Sequence, residues 1–457
     1  TQCNLENTMI VVPTHKLLNE VAGKLEEHGV EYVKAGKRPT VPDPDREAKI
    51  NALTNRGAYR AAREEIESYA NHITYIKNKE QREFTVEEQA VCDYINSQRE
   101  LSNTQIILAT HEKMLHIKNR SIRTVIVDED IMMDSVFNRG SINIKDIKQA
   151  IRLAVGIQDK AAREALIKTL ESVKSIVEDS PMDIVMEMPI IDMDDKKQKE
   201  IDKLIASNYS SFEGNLIDFF NCDYYEKIED DTIKFNSNRA AKVFAADRKY
   251  IILSATASEK LYELLCPGRV RFNDIGLVAS TGTISQYAKK SYSRYDYRQN
   301  SEKFIHEVKE KTKDLPVITY KMLSNRRDIN IAKIATEDGK DYPLYFGATA
   351  GIDGLKGKDI AIVGTPHLTN DEYLLTARCL GLKPKLAEQM MEYQRIFRNG
   401  YEFWFFTFEH EIMQEIQLWM IESELVQAVG RARALREDCE VIILSNLPLE
   451  VSNIIDI

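Results

Sequence analysis

Two adjacent carboxylates close an apolar stretch of the sequence. Residues 124–127 read Thr-Val-Ile-Val, a composition typical of a strand, and Asp128 and Glu129 follow directly. Phosphoryl transfer from a nucleotide requires one carboxylate that holds Mg²⁺, usually through water, and a second that orients and deprotonates the attacking water. The pair has the residue types for both roles. Acidic pairs after strands are also common as plain loop or helix-start residues, and the pair alone favours that plainer interpretation.

Two hydroxyl side chains close a second apolar stretch. Residues 250–253 read Tyr-Ile-Ile-Leu, and Ser254 and Thr256 follow. Hydroxyls at this place could hydrogen-bond to the acidic pair and report the state of a nucleotide to a neighbouring domain. An ordinary N-cap for the helix predicted to begin near Ser258 explains the same residues, and for these residues alone it is the preferred interpretation.

Arginines cluster near the C-terminal end of the chain. Gln427, Gly430, Arg431 and Arg433 share a predicted helix that leads into an apolar run at residues 441–444. Guanidinium groups can neutralise the charge on a transferring phosphoryl group. For any one of these arginines, a solvated basic helix face is the plain alternative.

The elements that must position these residues are short apolar runs separated by helical patterns. The runs are residues 9–12, 105–108, 124–127, 250–253, 317–319, 359–363 and 441–444. Continuous β-branched runs of this length predict strands buried on both faces of a parallel sheet, which is the α/β class. Functional loops of such sheets lie at the carboxyl ends of the strands, where the candidate residues stand.

Charged helical sequence interrupts this alternation and suggests a domain organisation. The predicted organisation is a first domain at residues 1–265 with helical insertions at about 40–100 and 141–240, a Gly- and Pro-containing linker at 266–285, and a second domain at 286–457 with a small insertion at about 370–400.

An aromatic stretch follows a predicted hairpin turn. Asn399 and Gly400 form a turn signal, and residues 401–408 read YEFWFFTF. Such rings could stack on nucleic-acid bases. Alternating aromatic residues after a turn are more typical of a core or a sheet face, so that interpretation is preferred.

Composition excludes several classes of protein. The 457 residues carry 62 Lys and Arg against 72 Asp and Glu, a net charge of −10, and 43% of them are hydrophobic. This predicts a globular protein without a membrane-spanning run. The six cysteines are widely spaced and form no C-x-x-C pair, which favours a reducing cytoplasm.

In chain order, the candidate residues form a series of motifs. The series is Pro13-Thr14-His15, Ala109-Thr110-His111, Asp128-Glu129, Ser254-Ala255-Thr256, the strand at residues 316–323, Gly347-Ala-Thr349-Ala-Gly351-Ile-Asp353, and Gln427-x-x-Gly430-Arg431-x-Arg433. This series resembles the ordered motifs Ia to VI of superfamily 2 helicases and translocases, over residues 9 to about 444. The ordered set is far more specific than any of its members.

The resemblance implies two RecA-like domains that bind ATP and Mg²⁺ in the cleft between them, with a nucleic-acid strand crossing both. It implies that Asp128 holds Mg²⁺ through water and that Glu129 activates water. The other residues that it assigns to the nucleotide site or its coupling are Ser254, Thr256, Gly351, Asp353, Gln427, Gly430, Arg431 and Arg433.

The resemblance also assigns contacts with the phosphates of a nucleic-acid strand. The matching positions are Pro13, Thr14, Thr110 and Thr349. Hydroxyls and backbone amides can fill this role without reading sequence.

Two features depart from the family pattern. The commonest final motif has an arginine where this chain has Ala434, and the Arg431-x-Arg433 spacing is similar to that of duplex-RNA sensors. The phosphate-binding motif G-x-x-x-x-G-K-[ST] is absent from the sequence. Because Thr1 lies too close to the run at residues 9–12 to leave space for that loop and its helix, truncation explains the absence better than degeneration.

The two insertions lie where XPD/DinG-like helicases carry an iron–sulfur domain and an arch domain. An iron–sulfur cluster needs four cysteine ligands, and residues 32–105 contain only Cys92. A cluster is therefore excluded there, whereas a cluster-free insertion is allowed.

These observations predict an ATP-dependent helicase or single-strand translocase in replication, repair or defence. The predicted partner is single-stranded nucleic acid, with DNA favoured over RNA, and the insertions could hold a protein partner. Two alternatives stay open, namely an inactive helicase-like binding module and a duplex-RNA-dependent ATPase.

Overall fold

The computed structural model describes residues 5–102, 104–276, 278–335, 341–349 and 354–456. Its strands are β1 (Thr8–Val12), β2 (Val33–Lys34), β3 (Ile106–Thr110), β4 (Thr124–Asp128), β5 (Phe137–Asn143), β6 (Val185–Glu187), β7 (Tyr224–Lys227), β8 (Thr232–Asn238), β9 (Lys249–Leu253), β10 (Thr283–Tyr287), β11 (Val317–Ile318), β12 (Lys333–Ala335), β13 (Asp341–Pro343), β14 (Ile360–Val363), β15 (Met391–Arg398), β16 (Tyr401–Phe408), β17 (Glu440–Leu444) and β18 (Asn453–Asp456).

The α-helices are α1 (His15–Glu27), α2 (Pro44–Asn55), α3 (Tyr59–Glu80), α4 (Val86–Glu100), α5 (His111–Met114), α6 (Ile144–Ala154), α7 (Lys160–Glu178), α8 (Asp195–Ser207), α9 (Leu216–Phe220), α10 (Ala240–Val243), α11 (Glu259–Leu265), α12 (Arg294–Gln299), α13 (Ser301–Thr312), α14 (Asn370–Cys379) and α15 (Glu411–Gly430). A π-helical turn covers Met132–Val136, and 3-10 turns cover Tyr209–Ser211, Glu229–Asp231, Lys321–Leu323 and Leu386–Gln389. Within the described ranges, no helix has the length and apolar character that a membrane crossing requires.

The chain divides into two compact units. Unit 1 comprises Thr1–Leu253 and Arg378–Leu382, and unit 2 comprises Ser254–Ala377 and Lys383–Ile457. Each unit contains a five-stranded parallel sheet. The predicted α/β class with two parallel sheets is therefore confirmed.

The parallel sheet of unit 1 has the strand order β2-β3-β1-β4-β9. Its inner strands are the continuous apolar runs of the sequence, and Met9, Ile107 and Val125 are completely buried. Helix α1 packs Leu18 and Ala22 onto this sheet. All pairings are parallel, so the carboxyl ends of β1, β3, β4 and β9 meet along one edge.

The two insertions of unit 1 fold together around a single hydrophobic core. Helices α2, α3 and α4 come from the first insertion, and helices α6 to α9 come from the second. The shared core contains Ile50 and Ile73 from the first and Leu166 and Phe219 from the second.

The second insertion also contains an antiparallel sheet with the order β5-β8-β7-β6, where the sequence predicted helices. Strand β8 reads TIKFNSN and has no continuous apolar run. Strands of an antiparallel sheet often bury only one face, so their pattern escapes a search for continuous runs.

The parallel sheet of unit 2 has the order β11-β14-β17-β10-β18. Helix α15 covers one face of it and is apolar on nearly every side, with Ile416, Leu418, Ile421 and Leu425 buried. Helix α13 contributes Phe304 to the core on the other face.

The predicted hairpin turn is confirmed. Arg398 pairs with Tyr401 across Asn399 and Gly400, whose φ angles are 52° and 83°. Positive φ at both central residues is what a type I′ turn requires. In β16 the aromatic residues alternate: Phe403 and Phe405 are buried, and Trp404 is 64% exposed.

Candidate active site

The acidic pair lies at the carboxyl edge of the unit 1 sheet. Asp128 is the last residue of β4 and pairs with Leu253 at the end of β9. The amide of Glu129 donates a hydrogen bond to the carbonyl oxygen of Leu253, at 2.8 Å. Both carboxylates therefore lie where ligands of open parallel sheets bind.

The chain turns sharply immediately after Asp128. Glu129 has a φ of 71°, in the left-handed region that side chains other than glycine rarely adopt. Such a residue costs about 1–3 kcal/mol and persists only where its surroundings hold it. Asp130 contributes by accepting a hydrogen bond from the amide of Met132 at 2.8 Å, at the start of the π-helical turn. No feature of the sequence predicts this backbone conformation.

His111 contacts the acidic pair and was not among the predicted site residues. Its ring Nε2 lies 2.8 Å from the carbonyl oxygen of Asp128, and the residue is only 6% exposed. Burial lowers the pKa of His111, so the neutral ring is favoured. The signal available in the sequence was its place directly after a strand, in Ala109-Thr110-His111.

Asp128 has the donor type expected of a magnesium site. Its carboxylate oxygens are hard ligands, and Mg²⁺ in nucleotide sites is bound by one or two carboxylates together with waters and substrate phosphates. Among the residues that the structure describes, no three His, Cys, Asp or Glu side chains form a cluster that could hold a metal ion. A single carboxylate at a strand end fits a magnesium ion whose other ligands would be waters and substrate phosphates.

Two of the three threonines predicted to contact a nucleic-acid strand lie at this edge, at the ends of the neighbouring strands β1 and β3. Thr14 is the N-cap of α1 and accepts a hydrogen bond from the amide of Leu17 at 3.3 Å. Thr110 is paired with Val12 and caps α5, accepting from the amide of Lys113 at 3.4 Å. Each hydroxyl still has its own hydrogen to donate. Pro13 is half-buried, whereas Thr110 is only 6% exposed.

Ser254 and Thr256 do not cap the helix that follows them. The N-cap of α11 is Ser258, whose hydroxyl accepts from the amide of Leu261. Ser254 Oγ instead accepts from the amide of Thr256 at 3.0 Å. The plain interpretation of these two residues as a helix cap is therefore wrong, and both belong to a local hydroxyl turn.

That turn is attached to α15 within unit 2. Trp419 Nε1 donates to the carbonyl oxygen of Thr256 at 2.8 Å, and Ser258 donates to Glu415 at 3.1 Å. A cavity of about 360 Å³ adjoins these residues. Arg398 in its wall is paired with Glu415 and Glu422 at 2.9 and 2.7 Å, so its charge is already balanced and the cavity does not favour phosphate.

The predicted arginines differ in exposure. Arg431 is 6% exposed and donates from Nε to the carbonyl oxygen of Gln427 at 3.0 Å. Arg433 is exposed and has a φ of 59°. Gly430 is the last residue of α15 and is exposed. The side chain accessible to a ligand is thus Arg433.

The predicted motif that begins at Gly347 is only partly described. The amide of Gly347 donates to Glu424 of α15 at 2.8 Å. Thr349 is 1% exposed, and among the described residues its hydroxyl has no hydrogen-bond partner. Gly351 and Asp353 lie outside the described residues, so their roles stay predictions.

Comparison with known proteins gave one kind of match. No protein-family model matches the chain, and no curated protein matches it. Among solved structures, the chain described as XPD_APO aligns with 99% of this chain and 98% of its own length, with 13% sequence identity and a TM-score of 0.45. The chain is thus similar to XPD_APO over nearly its whole length at low sequence identity.

Proposed function

We propose that this chain is the motor core of an ATP-dependent helicase or single-strand translocase of superfamily 2, acting in replication, repair or defence in the cytoplasm. The observation that carries the proposal is the carboxyl edge of the unit 1 sheet. Asp128, Glu129, Thr14 and Thr110 come from three separate parts of the sequence, and adjacent strands bring them to that one edge.

Each candidate residue has a proposed task. Asp128 holds the magnesium ion that accompanies ATP and offsets charge on its phosphates. Glu129 orients the attacking water and accepts its proton. Arg433, the exposed arginine, neutralises charge on the transferring phosphoryl group, and Arg431 supports the end of α15 through its bond to Gln427.

The sequence of residues 1–457 contains no phosphate-binding motif. The exposed edge strand β9 of the unit 1 sheet suggests where a strand carrying such a motif would pair. In the described residues, β9 pairs only with β4. Its apolar sequence KYIIL is typical of a strand buried on both faces, yet Ile251 and Ile252 are only half-buried and Leu253 is 56% exposed. An exposed apolar edge of this kind fits a further strand.

Strand spacing distinguishes this edge from the opposite one. Parallel strands lie about 4.8 Å apart, so a strand added beside β9 would end about 10 Å from β4, against about 19 Å for one added beside β2. Only the nearer position brings a loop that binds phosphates within reach of an ion held by Asp128. We therefore propose that a phosphate-binding strand pairs with β9.

The deciding experiment measures ATP hydrolysis by the 457-residue chain and by the full open reading frame that contains it. Each is assayed alone, with single-stranded DNA, with single-stranded RNA and with duplex RNA. ATP hydrolysis by the longer protein that a nucleic-acid strand stimulates would support the motor function. The nucleic acid that stimulates hydrolysis most would identify the polymer along which the motor moves. If neither protein hydrolyses ATP but both still bind a nucleic-acid strand, the motor function is wrong and the chain is a binding module.

A further inference from the structure

We infer that His111 is a positioning residue of the acidic pair, and that its ring holds the backbone turn that aims the Glu129 carboxylate. This inference rests on the proposed ATP hydrolysis. It adds a residue that takes no part in the proposed chemistry and acts only through the main chain of Asp128.

The contact joins two strands that do not pair with each other. His111 follows β3, Asp128 ends β4, and β1 lies between these strands in the sheet. The imidazole nevertheless reaches the carbonyl oxygen of Asp128 at 2.8 Å. This side chain thus adds a restraint between two strand ends that the sheet ladder does not pair directly.

The acceptor of this hydrogen bond determines which nitrogen of the His111 ring carries the hydrogen. A backbone carbonyl can only accept, so the hydrogen must be on Nε2 of His111. His111 is only 6% exposed, so its imidazole is largely shielded from water. The bond is therefore a directional restraint as well as a packing contact.

The restrained segment is the one with unusual backbone geometry. Glu129 follows the restrained carbonyl, has a φ of 71°, and donates its amide to Leu253 at 2.8 Å. The two hydrogen bonds hold the peptide group between Asp128 and Glu129 at both ends, one through its carbonyl and one through its amide. Without the bond from His111, this peptide can rotate toward an ordinary φ, which moves the Glu129 carboxylate away from the water that it must orient.

Three substitutions of one residue separate the hydrogen bond from the packing. In His111→Gln the amide nitrogen takes the place of Nε2, in His111→Asn it takes the place of Nδ1 and falls short, and His111→Phe keeps a ring without a donor. We expect the Asn and Phe variants to lose about tenfold to a hundredfold in kcat for ATP, because a misplacement of about 1 Å can have that effect. The KM for ATP should stay within about twofold of wild type, and the Gln variant should keep most of the activity.

A second measurement does not depend on hydrolysis. Amide hydrogen exchange in the 457-residue chain should be faster at Glu129 in the Phe and Asn variants than in wild type and the Gln variant. His72→Phe, which changes an exposed histidine of α3, is the matched control and should leave both measurements unchanged.

The outcomes separate this inference from the proposed function. An inactive wild-type protein would overturn the proposed function, whereas the exchange data would still show whether His111 restrains the turn. Wild-type kcat in the Phe and Asn variants of an active protein would overturn the inference. Equal losses in all three variants, with equally lowered thermal stability, would show a packing role and would overturn it too.

Discussion

The indole Nε1 of Trp419 donates a hydrogen bond to the main-chain oxygen of Thr256, at 2.8 Å. Trp419 lies on α15, which ends at Gly430 directly before the two arginines of the candidate site. Thr256 lies just after β9, whose last residue pairs with Asp128. One side chain thus connects the hydroxyl turn to the helix that immediately precedes the arginines.

Replacing this indole should weaken unit 2. Trp419→Phe removes the donor from a residue that is 3% exposed and leaves the Thr256 carbonyl unsatisfied, so we expect the free energy of unfolding to fall by about 2 kcal/mol. Urea unfolding measures this change. Trp404→Phe is the matched control, because Trp404 is 64% exposed and its replacement should change stability by less than about 0.5 kcal/mol. Equal unfolding free energies of the two variants would show that the hydrogen bond from Trp419 to Thr256 does not stabilise unit 2.

Glu129→Gln should abolish ATP turnover while leaving binding intact. The amide keeps the size of the side chain but cannot accept the proton of the attacking water, so kcat should fall by about 10²- to 10⁴-fold. Affinity for ATP and for single-stranded DNA, measured by fluorescence anisotropy, should stay near wild type. Glu112→Gln, at an exposed position of α5, is the control. Normal turnover in Glu129→Gln would show that the acidic pair is not the site.

The parts of the fold that the sequence predicted are those set by continuous apolar runs. Runs such as residues 9–12 and 124–127 can be buried on both faces only inside a parallel sheet, and the structure places them in β1 and β4. The carboxyl-edge position of Asp128 follows from the same pattern. The turn at Asn399 and Gly400 was predictable because few residues adopt positive φ easily.

The parts that the sequence could not predict depend on long-range pairing. The contact of His111 with Asp128 requires that β1 lie between β3 and β4, and no local pattern encodes strand order. The φ of Glu129 is imposed by its neighbours, because glutamate itself disfavours that conformation. The cap at Ser258 could not be singled out because Ser254 and Thr256 are also residue types that favour helix N-caps.

Removal of Arg433 should affect activity, whereas removal of Arg431 should affect stability. Arg433→Ala removes the exposed guanidinium, so we expect kcat to fall by about 10³-fold or more with unchanged stability. Arg431→Ala removes a buried side chain and its bond to Gln427, so we expect a loss of about 1–3 kcal/mol in unfolding free energy. Arg436→Ala, at a nearby exposed position, is the control for both. The reverse pattern would assign the finger role to Arg431.

A buried histidine of unit 2 should make its stability depend on pH. Burial lowers the pKa of His367 to about 4, with the positive charge of Arg294 adding to the effect. The ring stacks on Phe405, and its Nδ1 accepts a hydrogen bond from Gln417 at 3.1 Å. Because the unfolded chain binds a proton near pH 6.5 and the folded chain only near pH 4, stability is fully present above pH 6.5 and is lost as the pH falls toward 4. The loss should total roughly 3 kcal/mol.

Urea unfolding between pH 7 and pH 4 measures this loss when wild type is compared with His367→Asn. The asparagine oxygen can still accept from Gln417, but it does not titrate, so the variant should lose roughly 3 kcal/mol less than wild type over this range. Carboxylates that titrate over the same range contribute equally to both proteins and cancel in the difference. His306→Asn, at an exposed position of α13, should follow the wild-type curve. Parallel curves for wild type and His367→Asn would mean that the His367 ring is protonated as readily in the folded chain as in the unfolded one.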